Sequence, residues 1–172
     1  MIWLLAVGAV LLLCFSAVLL AGAPYLPTLR PQRRAALELA NLKPGETLLE
    51  LGCGDGKMLV AAAQVGVKSV GYELNPILAA WSWLRTRRYR RYVRVIWGDF
   101  WGKPWPEAQA IFVFLLPKYM KRLDTKIVQY SHKPVKLVSF AFAVPGRATS
   151  DERDGVMLYE YAGDTPLADT DK

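Results

Sequence analysis

Three acidic residues and a run of alternating glycines are the features of this chain that could do chemistry. Glu50 ends an apolar segment and leads into Gly52-Cys53-Gly54-Asp55-Gly56, while Glu73 and Asp99 follow two later apolar segments. Alternate glycines after a strand let the backbone turn sharply and let a ligand approach without a Cβ in the way. Carboxylates beside such a loop would suit a positively charged nucleoside.

The predicted roles of these residues follow from their hydrogen-bonding capacity. Glu73 can accept hydrogen bonds from both hydroxyls of a ribose, and Asp99 can accept one from an adenine amino group while Phe100 packs on the base. The glycine spacing, G-x-G-x-G, differs from the G-x-G-x-x-G of dinucleotide-binding proteins, which favours methyl transfer over hydride transfer. No G-x-x-x-x-G-K-S/T sequence occurs, so P-loop binding of a nucleoside triphosphate is not supported.

Alternating strand and helix patterns must bring these residues to one edge of a sheet. Most of the strands are continuously apolar, which is typical of strands that are buried on both faces. The predicted fold class is therefore α/β, a doubly wound, mostly parallel sheet of about six strands, with the acids at the carboxyl ends where ligands bind. The predicted strands are 46–51, 67–74, 92–97, 110–116, 135–144 and 156–161, and the helices 33–42, 55–65, 76 to the arginines near 85, and 117–130.

Two of these helices have recognisable beginnings. Asp55 is predicted to cap the helix after the glycine loop, because its carboxylate can accept hydrogen bonds from free backbone N–H groups. Asn75-Pro76 is predicted to begin the next helix, with Asn as the cap and Pro at the first helical position. The residues of that helix predicted to face the core are Ile77, Leu78, Trp81 and Leu84.

The front of the chain, residues 1–23, is predicted to be one N-terminal transmembrane helix. No charged residue occurs from Ile2 to Ala23, and these residues would span roughly 33 Å as a helix, enough to cross a bilayer. A cleaved signal peptide is the alternative. It is disfavoured because no Lys or Arg precedes the apolar run and because Pro24 would follow the small-residue cleavage site.

The segment after the anchor sets its expected orientation. Residues 24–34 are predicted to be a spacer rich in Pro and Arg, and Arg30, Arg33 and Arg34 place this flank in the cytoplasm by the positive-inside rule. The predicted protein is therefore a single-pass membrane protein whose globular domain, 35–163, lies on the cytoplasmic side. Residues 164–172 are acidic and are predicted to be a disordered tail.

Positive charge is concentrated in one stretch of this chain, whose net charge is +7. Six arginines and no acid lie between Arg85 and Arg94, and in an anchored protein such a run is expected to be attracted to anionic lipid. No sequence motif of nucleic-acid binding accompanies the run, so no nucleic-acid partner is predicted. Cys14 and Cys53 are not expected to come together in a disulfide bond, which favours a location in a reducing compartment.

From about residue 35 the chain resembles the class I S-adenosylmethionine-dependent methyltransferases, whose fold is Rossmann-like. The segments that carry the resemblance are Glu50–Gly56, Gly71–Pro76 and Gly98–Trp101. It implies S-adenosylmethionine as the cofactor, and no metal is predicted. The cofactor-binding residues are expected to be Glu50, Gly52, Cys53, Gly54, Asp55, Gly56, Glu73, Leu74, Asn75, Asp99 and Phe100. The candidate catalytic residues, which would shape the acceptor pocket, are Pro117 and Tyr119.

A narrower resemblance is to the family that contains the mitochondrial ATP synthase c-subunit lysine N-methyltransferase. The apolar anchor, the minimal domain, Gly-Tyr-Glu-Leu-Asn-Pro and Tyr159-Glu160-Tyr161 carry this resemblance. It implies methylation of lysine in a membrane-associated protein. The absence of an Asn-Pro-Pro-Tyr motif argues against adenine, cytosine or glutamine as the acceptor. Methylation of a lipid or quinone, and a catalytically silent binding module tethered to the membrane, remain as alternatives.

Overall fold

The computed structural model describes residues 28–163, together with residues 2, 3, 5 and 8. In this described part of the chain, no helix is both long and apolar enough to cross a membrane. Almost all of the predicted anchor at 1–23, the first four residues of the predicted spacer at 24–34 and the tail at 164–172 lie outside the described residues.

Helices and strands alternate through residues 28–163 from the first helix to the fifth strand, except that a loop without a helix joins the third and fourth strands. A short 3₁₀ turn, Arg87–Tyr89, follows the third helix. The elements are α1 (Arg30–Ala40), β1 (Thr47–Leu51), α2 (Lys57–Gln64), β2 (Lys68–Glu73), α3 (Pro76–Thr86), β3 (Val93–Trp97), β4 (Ala110–Val113), α4 (Pro117–Tyr130), β5 (Val135–Phe140), β6 (Asp151–Arg153) and β7 (Val156–Tyr161).

The strands form one sheet in the order β3-β2-β1-β4-β5-β7-β6. Strands β1 to β5 are parallel, and β7 is antiparallel to both β5 and β6. The predicted α/β, mostly parallel fold is therefore confirmed, with seven strands in place of about six. The additional strand, β6, is short and fully exposed, so it has no apolar pattern by which the sequence could reveal it.

Apolar side chains cover both faces of this sheet. In β1, Leu48 packs with the core cluster that includes helix α1, whereas Leu49 packs with the cluster that includes Met120 and Leu123 of α4. All four of these leucine and methionine side chains are fully buried. Because β1, β2, β3 and β4 are parallel, their carboxyl ends lie along one edge of this sheet.

Helix α3 turns a different face to the sheet from the one that its apolar pattern predicts. Its buried residues are the small ones, Ala79, Ser82 and Thr86. The prediction of a core-facing side is wrong for Ile77, Trp81 and Leu84, which are 47%, 52% and 53% exposed. The physical reason is close packing, because a Cβ on Gly56 would lie 2.4 Å from the Ser82 hydroxyl oxygen and only a small side chain fits there.

Gly71, in β2, marks another close approach, between the sheet and the loop after β1. A Cβ at this position would lie 2.7 Å from both the Cys53 Cβ and the Leu59 Cδ1. Gly71→Ala is therefore expected to lower the free energy of unfolding by about 1–3 kcal/mol, the usual cost of overpacking a core. The matched control is Gly102→Ala, because nothing lies within 4 Å of a Cβ built there. Urea denaturation measures both variants, and equal stabilities would contradict the prediction.

Candidate active site

The glycine loop begins at the carboxyl end of β1 and bends sharply across β2. Gly52, Gly54 and Gly56 have φ angles of 90°, 52° and 75°, in the left-handed region that favours glycine. The backbone N–H groups of Gly52 and Cys53 both donate to the Tyr72 carbonyl oxygen, at 2.9 and 2.8 Å. Nothing lies within 4 Å of a Cβ built on Gly52, so this side of the turn is open to a ligand.

Glu73, at the end of β2, connects the glycine loop to the start of α3. Its Oε2 accepts a hydrogen bond from the Gly54 N–H at 2.8 Å, and its Oε1 accepts one from the Asn75 N–H, also at 2.8 Å. Burial raises the pKa of Glu73, although the hydrogen bonds from Asn75 and Gly54 act to lower it. A carboxylate has about four acceptor positions, so both oxygens retain capacity for the ribose hydroxyls of the predicted ligand.

Glu50 is a buried acid of β1 whose Oε2 has no hydrogen-bond partner. Burial raises the pKa of Glu50 well above its usual value, and the nearby charges of Asp55 and Glu73 raise it further, while Arg33 lowers it. A buried acceptor without a donor is costly, and such groups in folded proteins call for an explanation. A cationic donor on a ligand would supply the missing partner.

The predicted helix cap at Asp55 is displaced by one residue. The cap position of α2 is Gly56, where no side chain makes a capping hydrogen bond. Asp55 accepts one long backbone hydrogen bond, from Lys57 at 3.3 Å, and its carboxylate forms ion pairs with the Lys57 ammonium at 2.7 Å and the Arg85 guanidinium at 3.3 Å. Burial opposes the charge of Asp55, but these cations outweigh it and the pKa is lowered. Asp55 thereby holds the loop to α3.

Two more residues predicted to bind the cofactor have packing or capping roles. Cys53 is buried, with its Sγ 3.7 Å from the Ser82 Oγ, and burial raises the pKa of the thiol well above its usual value, so the residue is not an activated nucleophile. Asn75 caps α3 as predicted, since its Oδ1 accepts from the N–H groups of Ile77 and Leu78 at 2.9 and 3.3 Å. The neighbouring Leu74 side chain is 36% exposed.

The loop after β3 brings Asp99 and Phe100 to the same sheet edge as Glu73. The N–H of Gly98 donates to the Glu73 carbonyl oxygen at 2.9 Å, which fixes the start of this loop. Asp99 is exposed and its Oδ1 accepts from the Trp101 N–H at 2.9 Å, while the Phe100 ring lies 4.7 Å from the Trp101 ring. The structure thus brings the acids of three strands together at one edge, as the sequence predicted.

The candidate catalytic residues lie in the first turn of α4, at this same edge. Pro117 is exposed at the beginning of the helix, where its lack of an N–H is tolerated. Tyr119 is half-buried, with its ring centroid 6.2 Å from that of Trp101 and the Lys118 ammonium 4.9 Å from its own centroid. Their role in methyl transfer stays a prediction.

Three aromatic rings lie together beside the glycine loop, a grouping that the sequence did not predict. Phe114 directly follows Val113, which pairs with Leu51 in the parallel register of β1 and β4. The Phe114 ring lies 4.6 Å from that of Phe140 and 6.2 Å from that of Phe142, and we call these three residues the phenylalanine cluster. In the sequence, this cluster could have been recognised from the Phe residues at the carboxyl ends of two neighbouring strands, Phe114 after β4 and Phe140 in β5.

Arg33 is a second residue that sequence reasoning did not place in the site. Helix α1 begins at Arg30, so the last part of the predicted spacer, with Arg30, Arg33 and Arg34, is helical. Burial lowers the pKa of Arg33, and the charges of Asp55 and Glu50 act to raise it. Arg33 therefore adds a cation close to the glycine loop.

This strand order, with a glycine turn after β1 and acids after β2 and β3, defines the class I methyltransferase fold. The RNA methyltransferase of Salinibacter ruber, solved in complex with S-adenosyl-L-homocysteine, is similar, with a TM-score of 0.73 and 25% identity over 86% of this chain and 100% of that one. Within the part of the chain that the structure describes, no group of three or more His, Cys, Asp or Glu residues could hold a metal ion.

The chain belongs to the ANTKMT methyltransferase domain family, whose model matches residues 50–151. The ATP synthase c-subunit lysine N-methyltransferase of Xenopus laevis is 28% identical over 85% of this chain and 67% of its own length. The adenine nucleotide translocase lysine N-methyltransferase of Mus musculus is 29% identical over 83% of this chain and 65% of its own length. The chain thus spans about two thirds of these relatives, and the resemblance and enzyme class predicted from the sequence are confirmed.

Proposed function

We propose that this chain transfers a methyl group from S-adenosylmethionine to a lysine side chain of a membrane-associated protein. The observation that carries the proposal is the meeting of the glycine loop, Glu50 and Glu73 at one sheet edge, in a member of the ANTKMT family. The names of the two relatives support a lysine of a protein as the acceptor, since one refers to the c-subunit of ATP synthase and the other to the adenine nucleotide translocase.

The cofactor is S-adenosylmethionine, which supplies an electrophilic methyl group on a positively charged sulfur. The residues of the site fit this ligand, because Glu73 retains acceptor capacity for its ribose and the unpaired Oε2 of Glu50 can accept from its ammonium group. Arg33 and Lys57 are cations near the loop that could pair with its carboxylate. The residues assigned to its adenine are Asp99 and Phe100.

The acceptor amine has to reach the site without its proton. A lysine has an ordinary pKa of about 10.4, and an apolar, poorly solvated pocket lowers it. We assign this pocket to the phenylalanine cluster and Tyr119, with Pro117 shaping its entrance, because aromatic faces also hold the cationic form of an approaching lysine. S-adenosylmethionine bound at this site would supply the methyl group and would leave as S-adenosylhomocysteine, while the methylated amine would release its proton to water.

A membrane anchor at residues 1–23, with the domain on the cytoplasmic side, is part of this proposal. Its support is the lack of charge from Ile2 to Ala23 and the arginines that follow. An anchored domain would meet acceptors that lie within a short distance of the bilayer, which fits a membrane-associated protein.

Transfer of radioactive methyl groups tests the proposed reaction. Purified full chain is incubated with membranes and tritiated S-adenosylmethionine, and the label is followed into protein, extractable lipid and RNA. Label in a protein band, recovered as methyllysine after hydrolysis, is the expected result. Label in lipid or in RNA would contradict the acceptor, and binding of the cofactor without any transfer would favour the silent binding module.

A variant of the phenylalanine cluster tests the acceptor pocket in the same assay. Phe114→Ala is expected to lower the transfer rate by about 10- to 100-fold, because poor positioning of an acceptor costs rate, while cofactor affinity stays unchanged. Val128→Ala is the matched control, since Val128 is an exposed apolar residue of α4. Unchanged transfer by Phe114→Ala would remove the cluster from the acceptor pocket.

A further inference from the structure

Helix α3 carries an exposed apolar stripe that the proposed methyl transfer does not use. Ile77, Trp81 and Leu84 are spaced by four and three residues, so they lie on one face of the helix, and Trp83 flanks them with 59% exposure. This face is opposite the small residues that pack on the sheet. Single exposed apolar residues are ordinary, whereas a stripe of three large apolar side chains with a further exposed Trp beside it indicates an interaction surface.

Arginines extend this stripe beyond the end of α3. Leu84 lines one shallow groove together with Arg85, Arg87, Arg88 and Arg90. Arg87, Arg88, Arg90 and Arg91 are exposed, and no acid occurs in the sequence between Arg85 and Arg94. The surface therefore joins indole and aliphatic groups to a dense positive charge.

We infer that this surface docks on a bilayer that contains anionic phospholipid. The docking surface is defined as Ile77, Trp81, Trp83 and Leu84 with Arg87, Arg88, Arg90 and Arg91. Its chemistry is that of helices that lie in the membrane interface, where aliphatic and Trp side chains enter the headgroup region and Arg pairs with lipid phosphate. A lipid surface fits it better than a protein partner does, because the exposed charges of the docking surface are all positive and adjoin the apolar stripe. Asp55, which also borders the stripe, is paired with Lys57 and Arg85.

Docking along α3 would also orient the domain. Helix α3 begins directly after Glu73 and Asn75, at the carboxyl edge of the sheet, and runs from there to the arginines at the opposite edge. A bilayer that contacts the whole of α3 would therefore hold the glycine loop beside the lipid surface. This inference concerns only the binding of the domain to a bilayer, so its test does not depend on the identity of the methyl acceptor.

Site-specific fluorescence of the full chain tests the docking. An environment-sensitive fluorophore is attached through Leu84→Cys, or through Val128→Cys as the matched control on the exposed side of α4, in chains that carry Cys14→Ser. Cys53 is buried and is left unchanged. Vesicles of phosphatidylcholine are compared with vesicles that also contain about 30% phosphatidylserine. Any insertion by residues 1–23 is common to both labelled chains, so the difference between them reports on the surface.

The expected result is specific to position and to lipid charge. The label at residue 84 should shift to shorter wavelength and be quenched by doxyl-labelled lipid in the anionic vesicles, while the label at residue 128 stays accessible to iodide. The pair Arg88→Glu and Arg91→Glu should weaken docking about 30-fold, because each basic residue near an anionic surface contributes roughly a factor of five. Lys121→Glu, on the exposed surface of α4, should leave docking unchanged.

Three results would overturn the inference. The label at residue 84 could stay accessible to iodide with anionic vesicles, it could respond equally to both lipid compositions, or it could already be shielded before vesicles are added. The last result would mean that another segment or copy of the chain covers the stripe. Cofactor binding measured on the same samples shows that the variants are folded, and it is expected to be unchanged.

Discussion

Glu73→Ala is expected to weaken S-adenosylmethionine binding by about 100-fold or more, because hydrogen bonds to a charged acceptor contribute roughly 1.5–3 kcal/mol each and every 1.4 kcal/mol is tenfold in affinity. The substitution removes the acceptor proposed for both ribose hydroxyls. It also leaves the N–H groups of Gly54 and Asn75 without the carboxylate that each now contacts at 2.8 Å. Isothermal titration calorimetry with the purified chain measures the change.

Two further variants test whether the loss of cofactor affinity is caused by removal of the Glu73 carboxylate. Glu73→Gln keeps one carbonyl oxygen as an acceptor and should lose less affinity than Glu73→Ala. Glu160→Ala removes an exposed carboxylate from β7, distant in the sheet order from β2, and should bind as the unmodified chain does. Undiminished affinity in Glu73→Ala would reject the ribose assignment.

Glu50→Gln is expected to weaken cofactor binding by about 30-fold or more, since loss of one partner of a buried, hydrogen-bonded charge pair costs roughly 2–5 kcal/mol. Burial, followed by the charges of Asp55 and Glu73, raises the pKa of Glu50 in the free protein. A cationic ligand favours the ionised carboxylate, so binding should release a proton. Calorimetry in phosphate and in Tris, which differ in ionisation enthalpy, counts the protons released, and Glu50→Gln should release fewer.

The raised pKa of Glu50 also predicts how the free energy of unfolding depends on pH. A carboxyl with a raised pKa contributes stability that is complete below its ordinary value of 4.5 and is lost as the pH rises through the raised pKa. The stability of the unmodified chain relative to Glu50→Gln should therefore fall as the pH rises over this range. Glu152→Gln, at an exposed position of β6, is the control and should show no such trend. If the difference in stability between the unmodified chain and Glu50→Gln stayed constant with pH, the raised pKa of Glu50 would be contradicted.

The site residues that could be predicted are those that depend on strand ends alone. Parallel strands bring their carboxyl ends to one edge, so Glu50, Glu73 and Asp99 could be placed together from their positions after apolar segments. The start of α3 at Asn75-Pro76 was also predictable, because capping is decided within a few residues.

The features that the sequence did not reveal depend on contacts between distant segments. The ion pair of Asp55 with Arg85 joins residues on different elements, and the approach of Arg33 to Glu50 requires α1 to be placed over the loop. The orientation of α3 was predicted wrongly because apolar residues usually face the core, whereas here the close contact at Gly56 and Ser82 admits only small side chains. Steric exclusion of this kind leaves no trace in hydrophobic periodicity.

The charged residues on the two outer strands of the sheet affect whether copies of this protein associate with one another. Arg94 is exposed on β3, and β6 consists of Asp151, Glu152 and Arg153, all exposed. An unpaired outer strand can recruit a strand from a neighbouring molecule, and charged side chains oppose that recruitment. Copies held on a bilayer, as we propose for this protein, would collide with one another often, and their charged outer strands would oppose polymerisation through strand pairing.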